Sequence, residues 1–480
     1  MGWRLERGER RAVTSEKGWR LCLLQLSYSR PGRLATSVTL QVCIPGPAAC
    51  GCHAPGGWYV HARCAAAGQA CHLQDPHAGL DASAALGRGS AAGSWPIHPC
   101  SEAPGTGNMS AAKRPVVCKN GLRLASECSG LEPTPYALQL LGLRPDQYRI
   151  VHCCEKDPFA RRFIIQNHGV PAKCIAGDIF DRDPGSSQRP HIYVAGFPCQ
   201  PFSSMGKRLG LADGVPKAPC AGKMFRKNGA GRGQVVHEVL RYLRVQLPLA
   251  FVLENVRGLM TIQGGAVLEW LLQELRGLGG KAYDVSYRLL NSEDHGRPQH
   301  RQRLFIIGLL KVAQHPGCKF AWPAPAPRRT LKSCLKRLAP ACRGRAWPQL
   351  ARHAQKTLAR VKAKAAKAGL DINRDLVVAD VFGSRPGYMV NRIPTITRTR
   401  GSQGGFLITR ARRFTTAKEL LALQGFPAHT LDLDGIPERQ QGMLAGNAIT
   451  VHVLARILAR ALPAVKLATG LRDPCTNEVF

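Results

Sequence analysis

Cys199 stands between two prolines in Gly196-Phe-Pro-Cys-Gln-Pro-Phe-Ser203, directly after the strand-like run His191-Ile-Tyr-Val-Ala195. Proline fixes φ and removes a backbone donor, so the segment leaves its strand as a stiff, shaped loop. The thiol is presented by the backbone rather than packed by it, which suits a nucleophile. A lone cysteine is more often structural, but this one has company. Glu254 closes the apolar run Ala-Phe-Val-Leu-Glu-Asn-Val (250–256) and falls at the same rim of a sheet. A carboxyl there is a cap, an ion-pair partner or a proton donor with a raised pKa. Arg301 and Arg303, in Gln299-His-Arg-Gln-Arg303, share one side at the start of another strand. Buried charge needs a partner, so an anion or a polarised ligand is implied beside them. Glu155 and Asp178 each follow a strand-like run and are either strand-end caps or ligand-facing acids.

The elements that position these residues alternate. Short apolar runs lie within 150–169, 172–180, 191–197, 249–256 and 303–310, with helical patterns over Gln234–Leu247 and Gly265–Leu278. That alternation predicts an α/β fold with a doubly wound, mostly parallel sheet, whose ligands sit beyond the strands' carboxyl ends. Residues 1–115 have the low-complexity composition of a disordered extension, and Met109 is an alternative translation start just before the first orderly segment. Residues 116–311 form the first part of the catalytic domain, 312–411 a basic region entered through the Pro-rich stretch 322–329, and 412–480 the closing part. The Ala/Lys-rich stretch 355–369 reads as a solvated surface helix.

The chain carries 67 Lys and Arg against 31 Asp and Glu, a net charge of +36, which calls for a polyanionic partner. Between Leu309 and Arg413 stand 23 of those cations against three acids, Asp371, Asp375 and Asp380. The 18 cysteines are scattered without a Cys-x-x-Cys pair, which predicts a reducing compartment rather than a disulfide framework. Cys50-Gly-Cys52-His53 with Cys64, Cys71 and His72 is too irregular for a metal site, and no metal is expected. No uninterrupted apolar run is long enough to span a bilayer. The Arg-bearing, acid-poor amino terminus has the composition of a transit peptide.

Five motifs in order, Gly196–Ser203, Glu254-Asn-Val256, Gln299–Arg303, Gln424-Gly-Phe-Pro427 and Gly446-Asn-Ala448, make the chain resemble the cytosine-C5 DNA methyltransferases over roughly residues 120–462. The resemblance implies a Rossmann-like methyltransferase sheet, a smaller target-recognition domain at 312–411, double-stranded DNA as partner, and a monomer. It implies that Cys199 adds to C6 of a flipped cytosine, and that Glu254 protonates N3 or hydrogen-bonds there. Arg301 and Arg303 would hold the carbonyl side of the base and steady the glutamate and loop. The implied cofactor is S-adenosylmethionine, with Glu155 on the ribose, Asp178 on the adenine amine, and Ser129, Gly130, Pro198 and Asn447 completing the pocket. Two other readings are a tRNA cytosine-5 methyltransferase of the same fold and a catalytically silent DNA-binding regulator. The chain departs from the family at Cys-Ser-Gly-Leu-Glu (128–132), where Cys128 replaces an aromatic residue and Glu132 a glycine. It departs again at 213–233, about fifteen residues longer than the connection requires. There Lys217, Lys223, Arg226 and Lys227 either reach phosphates or belong to an inert insertion. The basic block as an address implies the nucleus, and the amino-terminal extension a plastid or mitochondrion.

Overall fold

The computed structural model describes residues 115–198, 234–335, 346–383 and 387–480, together with four strands nearer the amino terminus. Those strands, Val13–Thr14, Trp19–Tyr28, Thr36–Pro45 and Tyr59–Cys64, pair antiparallel in chain order. They differ from the expected extension without regular structure. Thr36–Pro45 alternates Val38, Leu40, Val42 and Ile44 with Ser37, Thr39 and Gln41, a two-residue period hidden by average composition. Cys199, Met109, the 213–233 stretch, and Cys50, Cys52, His53, Cys71 and His72 lie outside the described residues.

Residues 108–480 form one compact unit. Its centre is a seven-stranded sheet of Leu122–Glu127 (β1), Tyr148–Cys154 (β2), Ile175–Ala176 (β3), Ile192–Ala195 (β4), Ala250–Val256 (β5), Tyr283–Asn291 (β6) and Gln302–Leu310 (β7). The order is β6-β7-β5-β4-β1-β2-β3. The five strands from β5 to β3 are parallel, and β7 runs antiparallel to both β5 and β6. From β1 the chain steps outward to β2 and β3, then crosses back to lay β4 on the other side of β1. The crevice opened by that reversal, beyond the carboxyl ends of β1 and β4, is where such sheets bind ligands. The strand expected within 172–180 shrinks to two residues. Ala172–Cys174 is a 3₁₀ turn, and the Asp178 side chain accepts the Phe180 N–H at 3.1 Å to begin the next turn.

Alternation along the central strands divides the core. Ile192, Val194, Ala250, Val252, Phe305 and Ile307 face helices Pro133–Leu140 (α1) and Pro158–His168 (α2) and the carboxyl-terminal helix. Tyr193, Ala195, Phe251, Leu253, Leu304 and Ile306 face Val235–Gln246 (α3) and Ala266–Lys281 (α4). Gly308 lies opposite Phe251 because a Cβ there would come within 2.1 Å of the ring.

The basic region folds as a second, antiparallel sheet: Val377–Asp380 (β8), Gly387–Val390 (β9), Leu407–Ile408 (β10) and Arg413–Phe414 (β11), in the order β9-β8-β10-β11. Helix Arg352–Lys367 (α5) packs Ala354, Leu358 and Val361 against Ala379, Val381 and Leu407. It is therefore amphipathic rather than solvated all round, with Lys356, Arg360, Lys362 and Lys364 exposed. A short helix, Arg398–Ser402 (α6), leads toward Ala417–Gln424 (α7), Glu438–Asn447 (α8) and Val451–Ala464 (α9). Backbones of α6 and α8 touch: a Cβ on Gly401 would lie 1.8 Å from the Gly442 carbonyl oxygen, and one on Gly446 2.3 Å from the Thr397 carbonyl carbon. The helix α9 is buried along its whole length.

Candidate active site

At the carboxyl end of β5, Glu254 is only 8 % exposed. Antiparallel pairing sets Val256 opposite Arg303 on β7. The Arg303 Nε reaches back to 3.1 Å from Glu254 Oε1, an ion pair whose alignment falls short of a hydrogen bond. The neighbouring Asn255 is buried and donates from Nδ2 to the Phe197 carbonyl at 3.2 Å. Its Oδ1 accepts the Val256 N–H at 2.9 Å. The chain leaving β4 is thus pinned to β5 two residues before Cys199. A Cβ at Gly196 would lie 3.7 Å from Glu254 Oε2, so the loop departs alongside the carboxylate.

Arg301 does something different. It is 2 % exposed, and its guanidinium donates to the carbonyls of Ile396 at 2.7 Å, Gly446 at 3.3 Å and Ala448 at 2.9 Å. Both arginines have internal acceptors: Glu254 for Arg303, the backbone for Arg301. Gly446 and Ala448 flank Asn447, so Arg301 frames that exposed residue from both sides. Beside it runs a buried amide network. Gln299 donates from Nε2 to Gln424 Oε1 at 3.1 Å and accepts the Ile396 N–H at 3.1 Å. Gln424 donates to the Ala445 carbonyl at 2.7 Å and accepts from Thr450 Oγ1 at 2.9 Å. Two motifs far apart in sequence, those of Gln299 and Gln424, meet in that chain of bonds.

The other expected site residues gather around the switch point. Glu155, immediately after β2, accepts the Gly130 N–H at 2.7 Å on one oxygen and the Asp157 N–H at 2.8 Å on the other. Burial raises its pKa despite those bonds. Ser129 is buried, with Oγ 2.6 Å from Ser126 Oγ and 3.3 Å from the Cys154 carbonyl. Asp178 pairs with the exposed Lys156 at 3.0 Å. Pro198 is half-buried at the start of the Cys199 loop. Beneath the turn, Glu127 is fully buried, bonded by Arg182 and by the Tyr193 hydroxyl at 2.7 Å. The thiol of Cys128 is pushed well up by burial and by Glu155 and Glu127, which disfavours its thiolate.

The arginines of residues 391–413 are partly occupied. Arg392 pairs with Glu293 at 2.7 Å, Arg400 with Asp380 at 2.8 Å and Arg413 with Glu419 at 2.7 Å. Arg398 and, on α5, Lys356, Arg360 and Lys364 are exposed, while Lys362 lies over the Trp347 ring at 4.5 Å. Sequence reasoning placed Asn255, Gln299 and Gln424 inside motifs without giving them a role, and passed over Thr450. The available signal was a polar amide or hydroxyl inside an otherwise apolar motif, since buried polar groups require partners.

The sequence profile of C-5 cytosine-specific DNA methylases matches residues 128–462. The Type II methyltransferase M.HaeII of Haemophilus aegyptius is 28 % identical over 348 residues, covering 68 % of this chain and 91 % of that protein. M.BanI of Aneurinibacillus aneurinilyticus is 44 % identical over 117 residues, 24 % of this chain and 23 % of that one. Against M.BsuFI and M.NlaIV the match covers 36 % and 40 % of the relatives' own length. Among solved structures, the Dnmt2 methyltransferase of S. pombe aligns over 71 % of this chain and 98 % of that one, with 19 % identity and a TM-score of 0.46. The profile runs from the end of β1, through both sheets, to the buried final helix. This chain belongs to the C-5 cytosine-specific DNA methylase family.

Proposed function

We propose that this chain is an S-adenosylmethionine-dependent DNA (cytosine-5-)-methyltransferase in which Cys199 adds to a cytosine taken out of the duplex. One observation carries the proposal: a buried carboxylate paired with Arg303, beside which Asn255 anchors Phe197, two residues before Cys199. Cytosine C5 is too weak a nucleophile to take a methyl group unaided. Attack of the Cys199 thiolate on C6 drives electrons toward N3 and C5. Glu254 holds a proton at N3 as that charge develops, and Arg303 fixes the carboxyl that does so. Once C5 carries the methyl group, loss of the C5 proton to a base expels the thiolate and regenerates Cys199. The base must leave its stack for the thiol to reach it.

The residues at the switch point fit the nucleoside half of the cofactor. Each Glu155 oxygen accepts one backbone N–H and has a second acceptor direction for a ribose hydroxyl. Gly130, at φ 55°, has nothing within 4 Å of where a Cβ would stand, which leaves the turn open on that side. Bound there, the group supplies an electrophilic methyl on a sulfonium. Glu155 and Asp178 orient its sugar and base, Asn447 borders the pocket, and Arg301 holds the backbone around Asn447 in place.

The test is a duplex carrying 5-fluorocytosine, incubated with cofactor. Fluorine cannot leave C5 as a proton does, so the wild type becomes covalently trapped and Cys199→Ser does not. Trapping on tRNA instead of duplex DNA would shift the substrate to RNA. Tight DNA binding without trapping on either would indicate a silent binder.

A further inference from the structure

A buried carboxylate gathers three segments at the root of the basic region. Glu293, in the 3₁₀ turn Ser292–His295 that follows β6, has a side chain only 6 % exposed. Its Oε1 accepts from Asn291 Nδ2 at 2.8 Å and from His300 Nδ1 at 3.0 Å. Its Oε2 accepts from Arg392 Nη1 at 2.7 Å. Arg328, at the end of the Pro-rich stretch, comes within 3.8 Å of Glu293 and donates to Asp294 at 2.8 Å. Burial opposes ionisation of Glu293, but the hydrogen bonds of His300 and Arg392 outweigh it and hold its pKa below the usual value. The side chains gathered on it stay open to solvent: Arg328 is 61 % exposed, Arg392 43 % and His300 39 %. The Leu331 N–H donates to the Asn391 carbonyl at 2.8 Å, which sets exposed Arg329 and Lys332 beside the same patch. Four cations thus stand over two acids, Glu293 and Asp294, the first of them buried. The patch adjoins the catalytic strand. The His300 N–H donates to the Ile393 carbonyl at 2.9 Å, and Thr395 Oγ1 to the His300 carbonyl at 2.6 Å. Three residues further on, at most about 11 Å along the chain, Arg303 pairs with Glu254. A base extruded to that carboxylate stays attached to its backbone, so its nearest phosphates fall in the same range.

We propose that Glu293 is a positioning residue for the substrate strand: its carboxylate holds Arg392, Arg328 and His300 as a preformed clamp for the backbone phosphates of duplex DNA beside the extruded nucleotide. The inference rests on the methyltransferase reading above. Contacts to phosphate fix register and orientation without reading sequence. A guanidinium has five donors in a rigid fork, so Arg392 faces a phosphate with the donors that Glu293 leaves unused. The role has a signature in its sign. A carboxylate acting only through its charge repels phosphate, and its removal tightens binding. A carboxylate that holds cations in place weakens binding when it is removed. Glu293→Gln keeps the volume but turns an amide NH₂ toward donors on one side, so one of the held groups is released.

Fluorescence anisotropy of the full chain with a fluorescein-labelled duplex of about twenty base pairs, over a salt series, tests it. Glu293→Gln weakens binding about five- to tenfold near physiological salt and flattens the slope of log K against log salt by about one. Arg392→Gln does the same. The double variant is within about twofold of the weaker single one, because both changes remove one shared contact. In methyl transfer the loss falls on KM, with kcat within about twofold of wild type. Tighter or unchanged duplex binding in Glu293→Gln overturns the proposal. So does weaker binding with an unchanged slope, which is what a smaller folded fraction gives. A loss confined to labelled tRNA overturns it as well. If Glu293→Gln does not fold by circular dichroism, the pair Arg328→Gln and Arg392→Gln on one chain decides: a slope flatter by about one or more supports the proposal, and any smaller change overturns it. Wild type that binds no duplex overturns the methyltransferase reading itself, and the proposal with it.

Discussion

Replacing Arg301 separates a guanidinium from a mere positive charge. Its fork holds three buried carbonyls from two segments, Ile396 ahead of α6 and Gly446 and Ala448 around Asn447. In Arg301→Ala all three lose a donor. A buried acceptor left unpaired costs about 1–3 kcal/mol. The 3.3 Å bond is the weakest of the set, and water entering the cavity recovers part of the loss, so the sum is about 3–5 kcal/mol. Against a typical stability of about 5–15 kcal/mol, that brings the variant near its unfolding threshold. Arg301→Lys keeps the charge but presents a point donor in place of a planar fork, and is expected to lose about 2–3 kcal/mol. Urea unfolding followed by tryptophan fluorescence measures both. In 5-fluorocytosine trapping, folded Arg301→Lys is expected to react about 10–100-fold more slowly, because the backbone around Asn447 shifts relative to the site. Duplex binding should stay within about threefold of wild type. Wild-type stability and trapping in Arg301→Lys would refute the claim that the fork, rather than the charge, joins these segments.

Other predictions follow from single contacts. Glu254→Gln preserves volume but cannot deliver a proton, so kcat in a methyl-transfer assay should fall about 10²–10³-fold with duplex affinity nearly unchanged. Gly308→Ala forces a methyl group into the Phe251 ring and should cost about 1–3 kcal/mol in urea unfolding, with Phe251→Leu on the same chain restoring part of it. Asp473 is fully buried and accepts from Arg456 Nε at 2.8 Å and Arg460 Nη1 at 2.9 Å. Burial opposes its ionisation, but the hydrogen bonds of Arg456, Cys475 and Arg460 outweigh that and hold its pKa below the usual value. Its contribution is therefore complete above the unfolded pKa of about 3.9 and is lost as pH falls through the lower folded value. Asp473→Asn should remove about 3–5 kcal/mol at neutral pH and abolish that acid-limb dependence in a pH series of unfolding midpoints. Duplex affinity should fall steeply with salt, and charge reversal at exposed Lys356 and Arg360 should flatten the slope of log K against log salt by about one for each phosphate no longer neutralised.

How much of this could be read from the chain depended on how local the physics was. Strands β4, β5 and β7 were legible because they are continuous apolar runs, as strands buried on both faces must be. Helices α3 and α4 showed their period. The central strand β1 was not among the runs recognised, because Ser126 and Glu127 interrupt its apolarity. Their partners, Glu132 for the first and Arg182 and Tyr193 for the second, arrive by folding. The edge strand β6 was missed for the opposite reason: with one side open, its Asp284, Tyr287 and Arg288 dilute any pattern.

The site divides in the same way. Residue types and their order already marked Glu254, Glu155, Asp178 and both arginines as chemically committed, since each stands at a rim where only a ligand or a partner justifies it. Which of the two it is depends on distances across strands that sequence does not contain. Pairing β5 with β7 made Arg303 the partner of Glu254. The close backbone contacts at Gly401, Gly442 and Gly446 brought three distant carbonyls onto Arg301. Sequence alone determined which groups were available and roughly where each element begins. Tertiary structure decided which charges neutralise one another and which still face outward, because a charge's role is set by what lies within a few ångströms of it, and that neighbourhood exists only once the chain has folded.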